Sequence, residues 1–177
     1  FAGYNTLADG TGTPYTQEST ITEATTLYTQ WNPISYVINY ELNEGSKLNQ
    51  HLDKFIAGYT IEQSVTLPLG SHVVKHGFNF GGWYTDSGFS GEAVTIIPVG
   101  SKGDITFYAK WDPIPYTVTY VMNGGTEHNS AAFVKTRDVL TPAITLPVAN
   151  DFAPRTGYSF VGWYQSADLP HNPTSHQ

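Results

Sequence analysis

The 177-residue chain contains no cysteine, so it has neither disulfides nor a thiolate metal site. Charge is scarce: Asp, Glu, Lys and Arg together make up 13% of the residues, about half the usual share. Cationic residues are the rarest of these, 8 against 15 acidic ones, for a formal net charge of −7. A nucleic-acid backbone or an anionic membrane surface attracts a cationic face, so neither is an expected partner. No stretch approaches the roughly 18 consecutive apolar residues of a membrane span. There is no opening Met, basic segment and apolar run of the kind that makes a signal peptide. The chain therefore reads as a piece of something longer, and its polarity, carried by Thr, Ser, Asn, Gln and Gly, is common in extracellular β-proteins.

Aromatics are plentiful instead: 12 Tyr, 9 Phe and 4 Trp. A small fold without disulfides needs such rings, because each removes roughly 150–250 Å² from water.

The aromatics recur at a fixed spacing. Phe80-Gly-Gly-Trp-Tyr84 returns as Phe160-Val-Gly-Trp-Tyr164, a shift of 80. Leu27-Tyr-Thr-Gln-Trp31 returns as Phe107-Tyr-Ala-Lys-Trp111, and Tyr36-Val-Ile-Asn-Tyr40 as Tyr116-Thr-Val-Thr-Tyr120, at the same shift. A constant period across independent landmarks means tandem copies of one folding unit of about 80 residues. Phe1-Ala-Gly-Tyr-Asn5 aligns with Phe80–Tyr84, so the chain starts out of register with its copies. Residues 1–31 read as the C-terminal half of one copy, 36–111 as a complete copy and 116–177 as the N-terminal part of a third. Residues 32–35 and 112–115 read as short joints, semi-stiff and closed to sheet continuation because they carry prolines.

Within a copy the pattern is that of strands. Tyr36, Ile38, Tyr40 and Leu42 alternate with more polar residues, as do Tyr116, Val118, Tyr120 and Met122. Asn123-Gly124-Gly125 then marks a turn, with Asn43-Glu44-Gly45 its weaker counterpart. Val65–Pro68 and Ile144–Pro147 read as short strands, Phe78–Tyr84 as the strongest strand and Ile105–Trp111 as the closing one. A short helix over His51–Ala57 or Ser130–Val134 is the one helical expectation. The fold expected is mostly β, with room for a small α component.

Strict alternation along Phe78–Tyr84 puts Phe78, Phe80 and Tyr84 on one face and Trp83 on the other. Tyr40, Phe78, Phe80, Trp111, Tyr120 and Phe160 are therefore the expected core. Trp83, Trp163, Tyr84 and Tyr164 are the expected contacts between units or with a ligand.

Catalytic and metal chemistry finds little support. His72 and His76 lie four apart, which on a strand is about 13 Å and unsuited to one metal. The Asp86–Glu92 loop lacks the alternating oxygen ligands of a calcium loop. There is no nucleophile elbow, phosphate loop or paired carboxylate in a cleft. No cofactor and no catalytic residue is expected.

The strand Tyr116–Gly125, the segment Arg155–Tyr164 and the closing Phe107–Trp111 together resemble the Listeria–Bacteroides repeat, also called the internalin B-repeat. The chain departs from it at Tyr4 in place of Trp, at Glu44 in place of a turn glycine, and after Gln165. The resemblance implies a β-grasp-like unit, carried in arrays by secreted or wall-attached bacterial proteins as stalks, spacers or adhesive regions. The expected partners are neighbouring copies, and a surface glycan or host protein. The alternative is a glycan-binding module built on exposed Trp and Tyr. The two end segments are expected either to complete one another, within or between chains, or to be simply incomplete copies. Completion between chains would build a head-to-tail filament.

Overall fold

The computed structural model of the chain describes residues 1–165. In chain order its strands are β1 (Gly3–Asn5), β2 (Pro14–Tyr15), β3 (Tyr28–Gln30), β4 (Ser35–Glu41), β5 (Ser46–Lys47) and β6 (Gly58–Thr60). They continue as β7 (Val65–Thr66), β8 (Val73–Val74), β9 (Phe78–Tyr84), β10 (Ile96–Ile97), β11 (Ile105–Pro113), β12 (Tyr116–Thr117) and β13 (Thr136–Arg137). The fold is mostly β. The helical expectation resolves into 3-10 turns, Asn49–Lys54 and Ser130–Ala132, the first interrupted by non-helical backbone at His51. The chain divides into two compact units, residues 1–112 and 113–177.

In the first unit, β1 sits between β2 and β3, antiparallel to both. The buried Asn5 side chain ties the following loop: its Nδ2–H donates to Gly10 O at 3.0 Å and its Oδ1 accepts from Leu7 N–H at 2.9 Å.

The main sheet has the order β6–β4–β11–β9. The alternation of β4 is visible in its burial, with Tyr36, Ile38 and Tyr40 turned toward the interior. β6 pairs with it antiparallel and β11 parallel, the latter in the register Ile38↔Ile105 to Glu41↔Tyr108. A parallel neighbour requires a long crossover, and here residues 42–104 supply it. Two further ladders, β5–β8 and β7–β10, lie within that crossover. The interior is formed by Ile38, Tyr59, Leu67, Trp83, Ile97 and Phe107, with Val65, Val73 and Ala109, all buried. Tyr40, Phe80 and Trp111 pack half-buried against it.

Trp83 overturns the expected faces. It is only 2% exposed and packs edge-on to Phe80 at 5.2 Å, so both rings share one side. The cause is Gly82, whose φ of +116° breaks the pleat and switches the parity of the strand. Phe78 lies outside the buried cluster, half-exposed beneath the Lys75 ammonium at 4.7 Å. The second joint also differs from expectation, because β11 runs through Asp112 to Pro113. Proline is tolerated there at the strand's end, where its missing N–H breaks no ladder.

The second unit has an aromatic centre of its own. Phe133 is buried, and Tyr120, Phe152 and Trp163 surround it at ring distances of 5.2, 5.5 and 6.4 Å. Its regular structure is thinner than expected. Among the described residues, Tyr116–Met122 shortens to β12, which pairs only with β13, and neither 144–147 nor 158–164 forms a ladder. In the first unit the corresponding strands β4 and β9 are joined through β11. No such central strand lies among the described residues of the second unit.

Candidate interaction surface

The expected contact residues do not form a common platform. Trp83 and Tyr84 are buried, Tyr84 against Phe89 at 5.6 Å edge-on. The Trp83 indole N–H donates to Pro68 O at 2.7 Å, and that of Trp163 to Pro147 O at 2.9 Å. Both indoles therefore work as internal anchors in equivalent places, and Trp163 is half-buried among Tyr120, Phe133, Phe152 and Phe160. Of the four, only Tyr164 presents its ring to solvent. Phe160, expected inside, is 39% exposed and stacks on Phe152 at 4.6 Å.

The exposed apolar surface lies elsewhere. Trp31 is 70% exposed, and Phe1 packs edge-on to it at 5.7 Å and to Tyr4 at 5.0 Å. Trp31, Pro33, Ile34, Tyr36 and Ile61 line a shallow open depression at the first joint. In the second unit Val121, Tyr158 and Val161 are exposed, with the Arg155 guanidinium 3.7 Å above the Tyr158 ring. Sequence reasoning missed Trp31 because its repeat partner Trp111 sits within the fold. The Trp111 indole N–H donates to Leu42 O at 2.8 Å and the ring lies against Gly45, leaving no space there for a side chain.

Among the described residues no three His, Asp or Glu side chains are placed to hold a metal ion. The Asp86 carboxylate accepts from Ser90 Oγ–H at 2.7 Å and Gly88 N–H at 2.8 Å, which holds its pKa below the ordinary value. Asp9 and Asp138 are lowered by the same kind of local bond, to Thr11 and Thr141. These are carboxylates that close loops. His72 is paired with His51, ring to ring at 4.5 Å, rather than with His76. Burial pushes the Tyr40 phenol up to about 12. No helix among the described residues is long and apolar enough to cross a membrane.

The model of the Listeria-Bacteroides repeat domain matches residues 36–110 and again 116–176. Two proteins of Evansella cellulosilytica are similar to the chain. One, whose name describes a Gly-rich membrane protein, is 32% identical over 172 residues, 96% of this chain and 18% of its own length. The other, whose name describes a membrane protein, is 32% identical over 146 residues, 82% of this chain and 19% of its own length. The chain thus spans less than a fifth of either relative. No solved structure matches it.

Proposed function

Because the chain belongs to the Listeria-Bacteroides repeat domain family, we propose that it is a non-catalytic structural and interaction segment of a bacterial cell-surface protein. It acts outside the cell as a stalk or spacer whose exposed faces meet neighbouring copies, a surface glycan or a host protein. The observation that carries this reading is the closure of residues 35–113 around their own aromatic core, with the first and last strands side by side. A unit of that kind can be copied in series at short joints without redesign. A reach assay tests it: one, two or four tandem copies are placed between a cell anchor and an epitope tag. Tag accessibility to a bulky antibody is expected to rise with copy number. A flat response, or turnover of a wall polysaccharide by the purified chain, would defeat the reading.

Residues 1–31 and 116–177 are read as halves of copies that complete one another, and a specific pair of features supports the joining, which between chains takes a definite form. Trp111 occupies the seat over Gly45, whereas its counterpart Trp31 is unseated and the counterpart glycine, Gly125, has no indole against it. Strand Tyr28–Gln30 of one molecule would then lie beside Tyr116–Met122 of the next, repeating head to tail. Phe1–Asn5 and Phe160–Tyr164 are the same element of the repeat, so one of them is released in such a joint. Light scattering over a concentration series is expected to show growth that Trp31→Ala abolishes. A monomer at every concentration would end the filament while leaving the spacer intact.

A further inference from the structure

A spacer under tension is pulled from its two ends. In the complete repeat those ends are the start of β4 and the finish of β11, and these strands are parallel neighbours in the middle of the sheet. Pulling Ser35 one way and Pro113 the other therefore slides β4 against β11 along their common axis. The force runs across the ladder bonds, so the pairs from Ile38↔Ile105 to Glu41↔Tyr108 are strained together. A ladder opened from one end loses its bonds one after another, each at a small force. The same ladder loaded lengthwise yields only when several bonds break at once.

Side chains extend the connection beyond the ladder. Below it, Val37 N–H donates to the Asp104 carboxylate at 2.7 Å. Above it, Asn43 Nδ2–H donates to Ala109 O at 2.8 Å and the Trp111 indole N–H to Leu42 O at 2.8 Å. All three join the β4 segment to the β11 segment across 66 to 69 positions of sequence. β11 is held on its other edge by β9, so it cannot swing away to relieve the strain.

We propose that β4, β11 and the staples at Asp104, Asn43 and Trp111 form a tension-resisting shear clamp, giving each complete repeat a mechanical function. The source of the tension rests on the spacer reading; the clamp itself is a property of residues 35–113.

The absence of cysteine makes the pulling direction programmable. Handles are attached to the full chain through Ile34→Cys and Ile114→Cys for lengthwise loading, both positions being exposed. Ser35→Cys and Lys102→Cys, both exposed, load the same ladder from the end away from Asn43 and Trp111. Single-molecule rupture is expected to need a several-fold higher force in the first geometry. Asn43→Ala and Trp111→Phe, each confirmed folded by circular dichroism, are expected to lower the lengthwise force and leave the end-on force unchanged. Equal forces in the two geometries overturn the clamp. Variants that leave both forces unchanged, or lower both alike, overturn the staples. A repeat that ruptures easily but still lengthens reach defeats the clamp and spares the spacer; a strong clamp with a flat reach response does the reverse.

Discussion

At Gly82 the backbone takes a φ of +116°, and its counterparts Gly3 and Gly162 take +131° and +145°. All three glycines thus take a positive φ just before an aromatic residue. At Gly82 the bend brings the next ring, Trp83, to the inner side of its strand. A side chain at Gly82 meets two penalties, the backbone conformation and a Cβ only 2.6 Å from that of Ala93. At Gly162 nothing lies within 4 Å, so only the first remains. Backbone strain of this kind costs about 1–3 kcal/mol. Gly82→Ala is accordingly expected to destabilise the first unit by about 2–4 kcal/mol, strain and overpacking together. Gly162→Ala should cost the second unit about 1–2 kcal/mol. Urea titrations of the two variants, followed by Trp fluorescence, check the order. Equal losses would mean that Ala93 yields. The reversed face of Trp83 has the same origin. Alternation is readable from residue type, but a positive φ at one glycine reverses it, and glycine carries no side chain to announce which φ it takes.

Among elements, the strands with their own strong pattern were legible: β4 from alternating Tyr36, Ile38 and Tyr40, β9 from its aromatics, and β11 from its Ile–Trp run. Neighbours were not legible, because periodicity assigns a face and is silent about which strand lies alongside. Tyr116–Met122 carries the same alternation as β4 yet forms a ladder only at Tyr116 and Thr117. The pairing of the 3-10 turns Asn49–Lys54 and Gly70–His72 was equally hidden, since His51 and His72 are far apart in sequence. Gly70–His72 is closed by Leu69 N–H donating to His72 Nδ1 at 3.0 Å, which places the imidazole proton on Nε2. Burial pushes the His72 pKa below its ordinary value, with His51 and Lys54 acting in the same direction and Asp53 opposing. The unfolded chain therefore binds a proton at this residue first as the pH drops. The contribution of His72 is complete above about pH 6.5 and is lost on acidification below it. The lowered carboxylates of Asp9, Asp53, Asp86 and Asp138 act in a separate window, below about pH 4. The urea midpoint is expected to fall between pH 7.5 and 5.5, and less so in His72→Asn, whose carbonyl keeps an acceptor for Leu69 N–H. An identical slope in the variant would assign the loss to another group.

Across the described residues, repeated sequence does not bring equal order: the complete repeat has a central strand beside β4 and β9, and the second unit has none. Tyr40 and Trp83 meet edge-on at 5.2 Å in the complete repeat, and Tyr120 and Trp163 do so at 5.1 Å in the second unit. The aromatic anchoring is thus a property of each copy's own residues. The ladder is a property of the pair, because β4 and β9 acquire their regular form beside β11. Hydrogen exchange separates these two contributions. Amides of 36–41 and 105–111 are expected to exchange only with global opening of the repeat. The segments 118–122 and 158–164, which correspond to 38–42 and 78–84, are expected to exchange much faster at dilute concentration, despite the repeated sequence. Adding a peptide spanning residues 24–35 should slow 118–122 specifically if a closing strand is what that segment requires. Fast exchange that such a peptide leaves unchanged would mean that the aromatic anchor, and not the missing neighbour, sets the order of the second unit.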